Sequence, residues 1–202
     1  MRFIVLSFVF VLSILLLGCS GTDNYSEPTT LANDGPYTHE ITGIIFPSEV
    51  SSFYRSDITQ FDSKGKDISC SYKLPYLSSP VTVSVYVYPA EHLKSNNDPA
   101  TIMSQLQVHA DKISDELSGY YSEFKIISKD PAILNHNGTT HNGVSIRYQY
   151  EQDVGLGLRD YMSYLYLFHN NDCFVKYRAT FPIEQLDKID PHIQNFLDEL
   201  KW

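Results

Sequence analysis

The sequence predicts an α+β fold: an antiparallel β-sheet sandwiched by helices, in a single domain. Three observations predict it. Apolar and polar residues alternate with period two in stretch after stretch between Ile41 and Phe181, most of them separated by short turn signals. Two segments instead carry apolar residues at helical spacing, each announced by Asp-Pro. The chain holds 15 Tyr and 11 Phe with charged residues at only 19%, a composition that suits half-buried strands and a packed core.

The chain opens with Arg2, an apolar run from Phe3 to Leu17, and Leu16-Leu17-Gly18-Cys19. The run is shorter than the roughly 20 residues of a membrane-spanning helix. A basic start, an apolar middle and a small residue before a cut together read as a signal peptide over residues 1–18. The Leu16–Cys19 tetrad resembles the lipobox of bacterial lipoproteins. That resemblance implies cleavage after Gly18 and lipidation of Cys19, which becomes the mature N-terminus. Several acyl chains, at about 0.8 kcal/mol per buried methylene, hold a protein stably where one does not. Ser20 stands where an Asp in many such proteins marks inner-membrane retention. The resemblance thus implies a cell membrane or outer membrane location, lipid-anchored and facing the periplasm or cell surface.

Residues 19–38 follow as the lipidated N-terminus and a flexible tether, since SGTDNYSEPTTLANDGPYT is polar, aperiodic and rich in Gly, Pro and Asn. The globular domain is read as 39–202. Ile41–Phe46 and Phe53–Phe61 form short strands, the second closed by the turn Asp62-Ser63-Lys64-Gly65-Lys66-Asp67. Ile68–Leu74 and Val81–Tyr88 come next; in the latter, Val81, Val83, Val85 and Val87 form a core face and Thr82, Ser84, Tyr86 and Tyr88 the other. A helix begins at Asp98-Pro99, carries Ile102, Leu106, Ala110, Ile113 and Leu117 on one stripe, and stops at Gly119. Strands at Phe124–Ser128 and Gly143–Glu151 lead to a hairpin, Arg159–Phe168 with Cys173–Phe181, turning at Asn170-Asn171-Asp172. A last helix runs from Asp190-Pro191 to Trp202 with Ile193, Leu197 and Leu200 on one side.

The order of strands, helix, antiparallel strands and terminal helix across residues 40–202 resembles the PsbP-like proteins, in which an antiparallel sheet lies between helices. The resemblance implies that architecture and assigns no site residue.

Composition narrows the function classes. The formal net charge is −9, and one unit more negative without residues 1–18, whose only charge is Arg2. Scattered cations on an acidic chain give no clustered basic face, which excludes nucleic acid as a partner. Membrane contact falls to the lipid. Cys70 alternates with Ile68, Tyr72 and Leu74, and Cys173 with Val175 and Tyr177. Spacing leaves open whether they bridge or are two buried thiols.

No motif assigns a catalytic residue. Gly155-Leu156-Gly157 precedes a strand, where a dinucleotide fingerprint requires a helix. His136 and His141 flank a turn without the acid or third ligand of a metal site, so no metal and no cofactor is assigned. His109 reads as an exposed or flanking helical residue. The feature with functional colour is the set of strand tyrosines, Tyr86 and Tyr88 first, which either pack the sheet against a helix or form a ligand face. The reading that follows is a lipid-anchored, non-enzymatic binding or accessory module with a protein or small-ligand partner in the envelope. An assembly or scaffolding protein is the alternative, and a hydrolase with scattered site residues a further one.

Overall fold

A computed structural model describes residues 25–31, 34–75, 81–94, 97–136, 138–155, 157–200 and 202. Cys19 and the rest of the signal and lipobox segment lie outside the described residues. Among the described residues the fold is a single domain dominated by one nine-stranded antiparallel sheet, with two helices. Its strands are β1 (Tyr25–Thr30), β4 (Glu49–Val50), β5 (Phe53–Asp62), β6 (Ile68–Leu74), β7 (Val81–Pro89), β8 (Ser122–His136), β9 (Thr139–Asp153), β10 (Leu158–Asn170) and β11 (Cys173–Pro182). They are arranged β1-β5-β6-β7-β11-β10-β9-β8, with β4 beside the start of β5; β2 (Tyr37–Thr38) and β3 (Ile45–Phe46) form a separate two-stranded ladder. Helix α1 (Pro99–Tyr120) links β7 to β8, and α2 (Leu186–Glu199) follows β11 after a 3-10 turn at Ile183–Gln185.

Period-two alternation gives the sheet two different faces. Val81, Val83, Val85 and Val87 of β7 join Val175, Tyr177 and Ala179 of β11 and Ile189, Ile193 and Phe196 of α2 in the larger core. The opposite parity builds a smaller core: Leu106, Ala110 and Leu117 of α1 over Val144, Ile146 and Tyr148 of β9 and Leu165 and Leu167 of β10. The sheet outnumbers its helices. Helix α1 packs mainly on β8, β9 and β10 and touches β7 and β11 through His109, so the expected helix sandwich is realised over only part of that face.

Local signals act as the sequence suggests at several points. Asp98 caps α1, its Oδ1 accepting from the amides of Ala100 at 3.1 Å and Thr101 at 3.0 Å, with Pro99 in the first turn. Asn171 and Asp172 both adopt positive φ (47° and 61°), the signature of a two-residue type I′ hairpin whose twist matches the β10–β11 pair. Asp62 Oδ1 accepts from the amides of Lys66 at 2.9 Å and Asp67 at 3.2 Å, closing the β5–β6 turn.

Three expectations are corrected, and one question left open is decided. Residues 25–30, read as part of the tether, form β1 on the edge of β5, with Tyr25 opposite Asp62 and Thr30 opposite Thr59. Backbone pairing needs no apolar pattern, and Pro28 is tolerated because this is an edge strand. The stretch 41–46 is a turn leading into a two-residue ladder rather than one strand. Helix α2 begins at Leu186, a turn before Asp190-Pro191, because Leu186 and Ile189 already dock on the core. Cys70 and Cys173 are both buried free thiols. Cys70 lies opposite Val85 and Cys173 opposite Pro89, on the two flanks of β7. Two strand spacings and a four-residue offset separate their Cα atoms by roughly 15 Å, beyond the 7 Å or so that a disulfide spans.

Candidate functional site

The uncovered part of the α1-side face is polar, and ladder register sets its pattern. Across β6, β7 and β11, Ser69 lies beside Tyr86 and Tyr86 beside Lys176; in the next row Ser71 meets Ser84 and Ser84 meets Arg178; then come Lys73, Thr82 and Thr180. Thr180 continues the last row to Ser163 of β10. Most of these side chains are partly exposed, although their mirror residues on the same strands are buried. Chain alternation therefore delivers three cations, one tyrosine and several hydroxyls to a single surface.

Lys176 and Arg178 are the chemically distinctive members. Lys176 Nζ sits 4.2 Å from the ring centre of Tyr86 and 5.5 Å from that of Tyr88, a cation between aromatic faces. Burial, and next the positive charge of Arg178, pull its ammonium down to about 8, while Glu116 and Asp67 pull the other way. Arg178 is held by neutral oxygens: its Nη2 lies 3.4 Å from the hydroxyls of both Tyr121 and Tyr150, and its Nε 3.4 Å from Ser163 Oγ. Among the described residues neither cation forms an ion pair with a carboxylate.

Helix α1 borders this surface. The Tyr88 hydroxyl and His109 Nε2 share a hydrogen bond of 2.7 Å, and the His109 ring stacks on Phe174 with centroids 4.2 Å apart. Burial above all, then Lys176 and Lys112, lowers His109 to about 4, so its imidazole is neutral and able to accept that bond. His109 is thus no flanking surface residue; it is half-buried and anchors the helix to the sheet. Tyr121, at the end of α1, stacks on Tyr150 at 3.9 Å between centroids, and burial pushes its phenol up to about 12. Asp67, opposite the border at the start of β6, is pushed up to about 6 by burial and by Asp62.

The two tyrosines singled out from sequence therefore part company. Tyr88 is closed over by His109 and Phe174, whereas Tyr86 lies in the open rows as the aromatic wall of Lys176. Of the other strand tyrosines, Tyr150 reaches the same surface through Arg178, whereas Tyr148 bonds Ser114 at 2.9 Å inside the smaller core and Tyr164 donates to Asp190 at 2.8 Å on the far face. Lys176 and Arg178 escaped sequence reading, although their parity with Phe174 and Thr180 in β11 was a signal that could have found them.

Other clusters are structural. A cleft of about 320 Å³ along β1 and β5 is crossed by Arg55, whose guanidinium donates to the carbonyls of Phe46 and, at 2.6 Å, Gly35. A second, beside α2, contains Arg147, which lies over the Tyr164 ring at 4.8 Å and 3.7 Å from Asp190. His136 Nε2 reaches the Leu197 carbonyl at 3.2 Å and His141 packs on Trp202, which occupies the rings on both sides of that turn. Among the described residues no three His, Cys, Asp or Glu side chains converge as metal ligands. Ser52 Oγ and His192 Nδ1 approach at 3.0 Å, but among the described residues no carboxylate orients that imidazole.

No family model matches the chain, and no curated protein matches it. Among solved structures it is similar to PA94, a protein of unknown function from Pseudomonas aeruginosa, at 16% identity and a TM-score of 0.47, covering 72% of this chain and 92% of that one. It is also similar to the cyanobacterial PsbP (CyanoP) of Synechocystis at 10% identity and a TM-score of 0.45, covering 89% of this chain and 95% of that one. At these scores neither likeness bears on activity.

Proposed function

We propose that this protein is a lipid-anchored, non-enzymatic binding module of the cell envelope, held by acyl chains on Cys19 and presenting the β6–β7–β11 face to a ligand. One observation carries the binding reading: two cations, framed by tyrosines and hydroxyls, stand together at the border of α1 on a face that the helix covers only in part. A scaffold with no ligand gains nothing from partly burying uncompensated charges, whose desolvation is costly. The envelope address rests on the sequence of residues 1–19 alone.

Two experiments test the halves of this reading. Cys19→Ser should abolish incorporation of a palmitate analogue and leave the signal segment uncleaved; a mutant still labelled and cut after Gly18 removes the anchor. For the face, the full chain is screened by amide NMR against a library of neutral, cationic and anionic small molecules. A saturable ligand should perturb residues around Ser84, Tyr86 and Lys176, and Tyr86→Ala should weaken it. A library whose binders all map elsewhere refutes the face.

A further inference from the structure

Resting on that reading of the face, we infer that its ligand is a free, small oxyanion-bearing solute whose phosphate or carboxylate group is held between Lys176 and Arg178. The two side chains are separated by one residue on β11 and point to the same side, so their charged ends can address a single tetrahedral or planar oxyanion. Around them the strands offer donors that suit such a group: Ser71 and Ser84, whose oxygens are 3.5 Å apart, and Thr180, within 3.1 Å of Ser163. The rows facing the cations on β6 and β7 contain serines, threonine, tyrosine and Lys73 and no carboxylate. The nearest acids in electrostatic reach of Lys176, Asp67 and Glu116, stand at the margins.

Whole-molecule charge sharpens the inference. Lys176 and Arg178 are partly enclosed cations with no carboxylate partner among the described residues, and on a chain of net charge −9 a ligand anion supplies the compensation that no side chain does. The ring faces of Tyr86 and Tyr88 hold the Lys176 ammonium without consuming its hydrogen-bond donors as a carboxylate would. A lipid headgroup shares this chemistry. The position of the cations, half-enclosed beside α1 on an acidic molecule, favours a diffusible solute over a flat anionic bilayer.

The test uses the full chain in a neutral detergent, titrated with inorganic phosphate and, separately, with sulfate, whose charge is constant between pH 7 and 9. Amide shifts should saturate and localise to residues near Ser84, Lys176 and Arg178. Lys176→Met should weaken binding about tenfold or more, and Lys176→Arg should restore most of it, which separates lost charge from lost folding. Sulfate affinity should fall about tenfold from pH 7 to pH 9 as Lys176 deprotonates. The titratable and charged groups facing that ammonium are Tyr86 and Tyr88 on β7, Asp67 before β6, His109, Lys112 and Glu116 on α1, and Arg178 beside it. Lys176, lowered to about 8, changes charge within this interval.

Shifts that are absent at tens of millimolar anion, or that spread over exposed lysines and persist in Lys176→Met, overturn the inference. If a neutral library compound binds the face while phosphate and sulfate do not, the binding module stands and the ligand class is wrong; if nothing binds there, both fail. Dihexanoyl phosphatidylglycerol, kept below its micelle concentration, separates the two sources. Binding of that lipid tighter than inorganic phosphate at the same residues would overturn the assignment to a free solute.

Discussion

Gly143 shows how one atom can decide stability. It lies in β9 opposite Phe168, and a Cβ there would strike the Leu167 carbonyl oxygen and the Phe168 ring. Gly143→Ala should therefore cost about 1–3 kcal/mol by overpacking, seen as a lower urea midpoint at unchanged slope. A loss below about 0.5 kcal/mol would mean that Phe168 moves aside freely. Asp67 offers a second test at this scale. Because its carboxyl is raised to about 6, the fold prefers it protonated, and its contribution turns unfavourable as pH rises from about 4 to about 6. Asp67→Asn should stabilise the protein by about 1–3 kcal/mol at pH 7 and by almost nothing near pH 3.5. His109, lowered to about 4, acts over the same interval with the opposite sign: stability is lost as pH falls from about 6.5 to about 4. The variant should thus lose stability on acidification more steeply than the parent. An equal gain at both pH values, measured by denaturant titration, would show that the substitution acts through something other than titration.

At the scale of elements, α1 decides what each β7 tyrosine does. Tyr88 borders the helix, bonded to His109 and in ring contact with Phe174, so Tyr88→Ala removes a partly buried, hydrogen-bonded aromatic and should cost about 2–4 kcal/mol. Tyr86 contacts the ammonium of Lys176 from the open side, and Tyr86→Ala should cost about 1 kcal/mol or less. Thermal melts of the pair check this; equal losses would mean that α1 covers both. The edge strand β1 makes a complementary case. Its backbone pairs with β5, and the Leu31 amide donates to the Ile58 carbonyl at 2.9 Å. A chain starting at Asp34 leaves the β5 edge bare and should melt more than about 5 °C below one starting at Ser20, of order 1–2 kcal/mol for a domain of this size. Coincident melts would return residues 20–31 to the role of a tether.

For the whole molecule, the sheet acts as its own staple. Two cores on opposite faces share the strands β10 and β11, and no covalent bond crosses between them among the described residues. Burial also pushes the Cys173 thiol up to about 11 and raises Cys70 further, so both are poor nucleophiles at neutral pH. A strong reductant should accordingly leave the melting midpoint unchanged, and both thiols should react with a maleimide only after denaturation. A midpoint that falls on reduction would show a bridge between them.

What the sequence determined by itself is what neighbouring residues decide: the alternation of β5, β6, β7, β10 and β11, the Asp98-Pro99 start of α1, and the hairpin at Asn171-Asp172. Each depends on side-chain periodicity or on backbone preferences within a few residues, and those are written locally. Tertiary structure alone decided the rest. It recruited polar residues 25–30 as an edge strand because pairing uses backbone groups, and it began α2 early because Leu186 and Ile189 found the core. It also set Cys70 and Cys173 on opposite flanks of β7, and divided Tyr86 from Tyr88 by the reach of one helix. Lys176 and Arg178 became a charged floor because β7 and β10 flank them with tyrosine and hydroxyl groups far away in the chain. A residue's chemistry is local, but the company that alters it is chosen by strand order and register, which no short window of sequence contains.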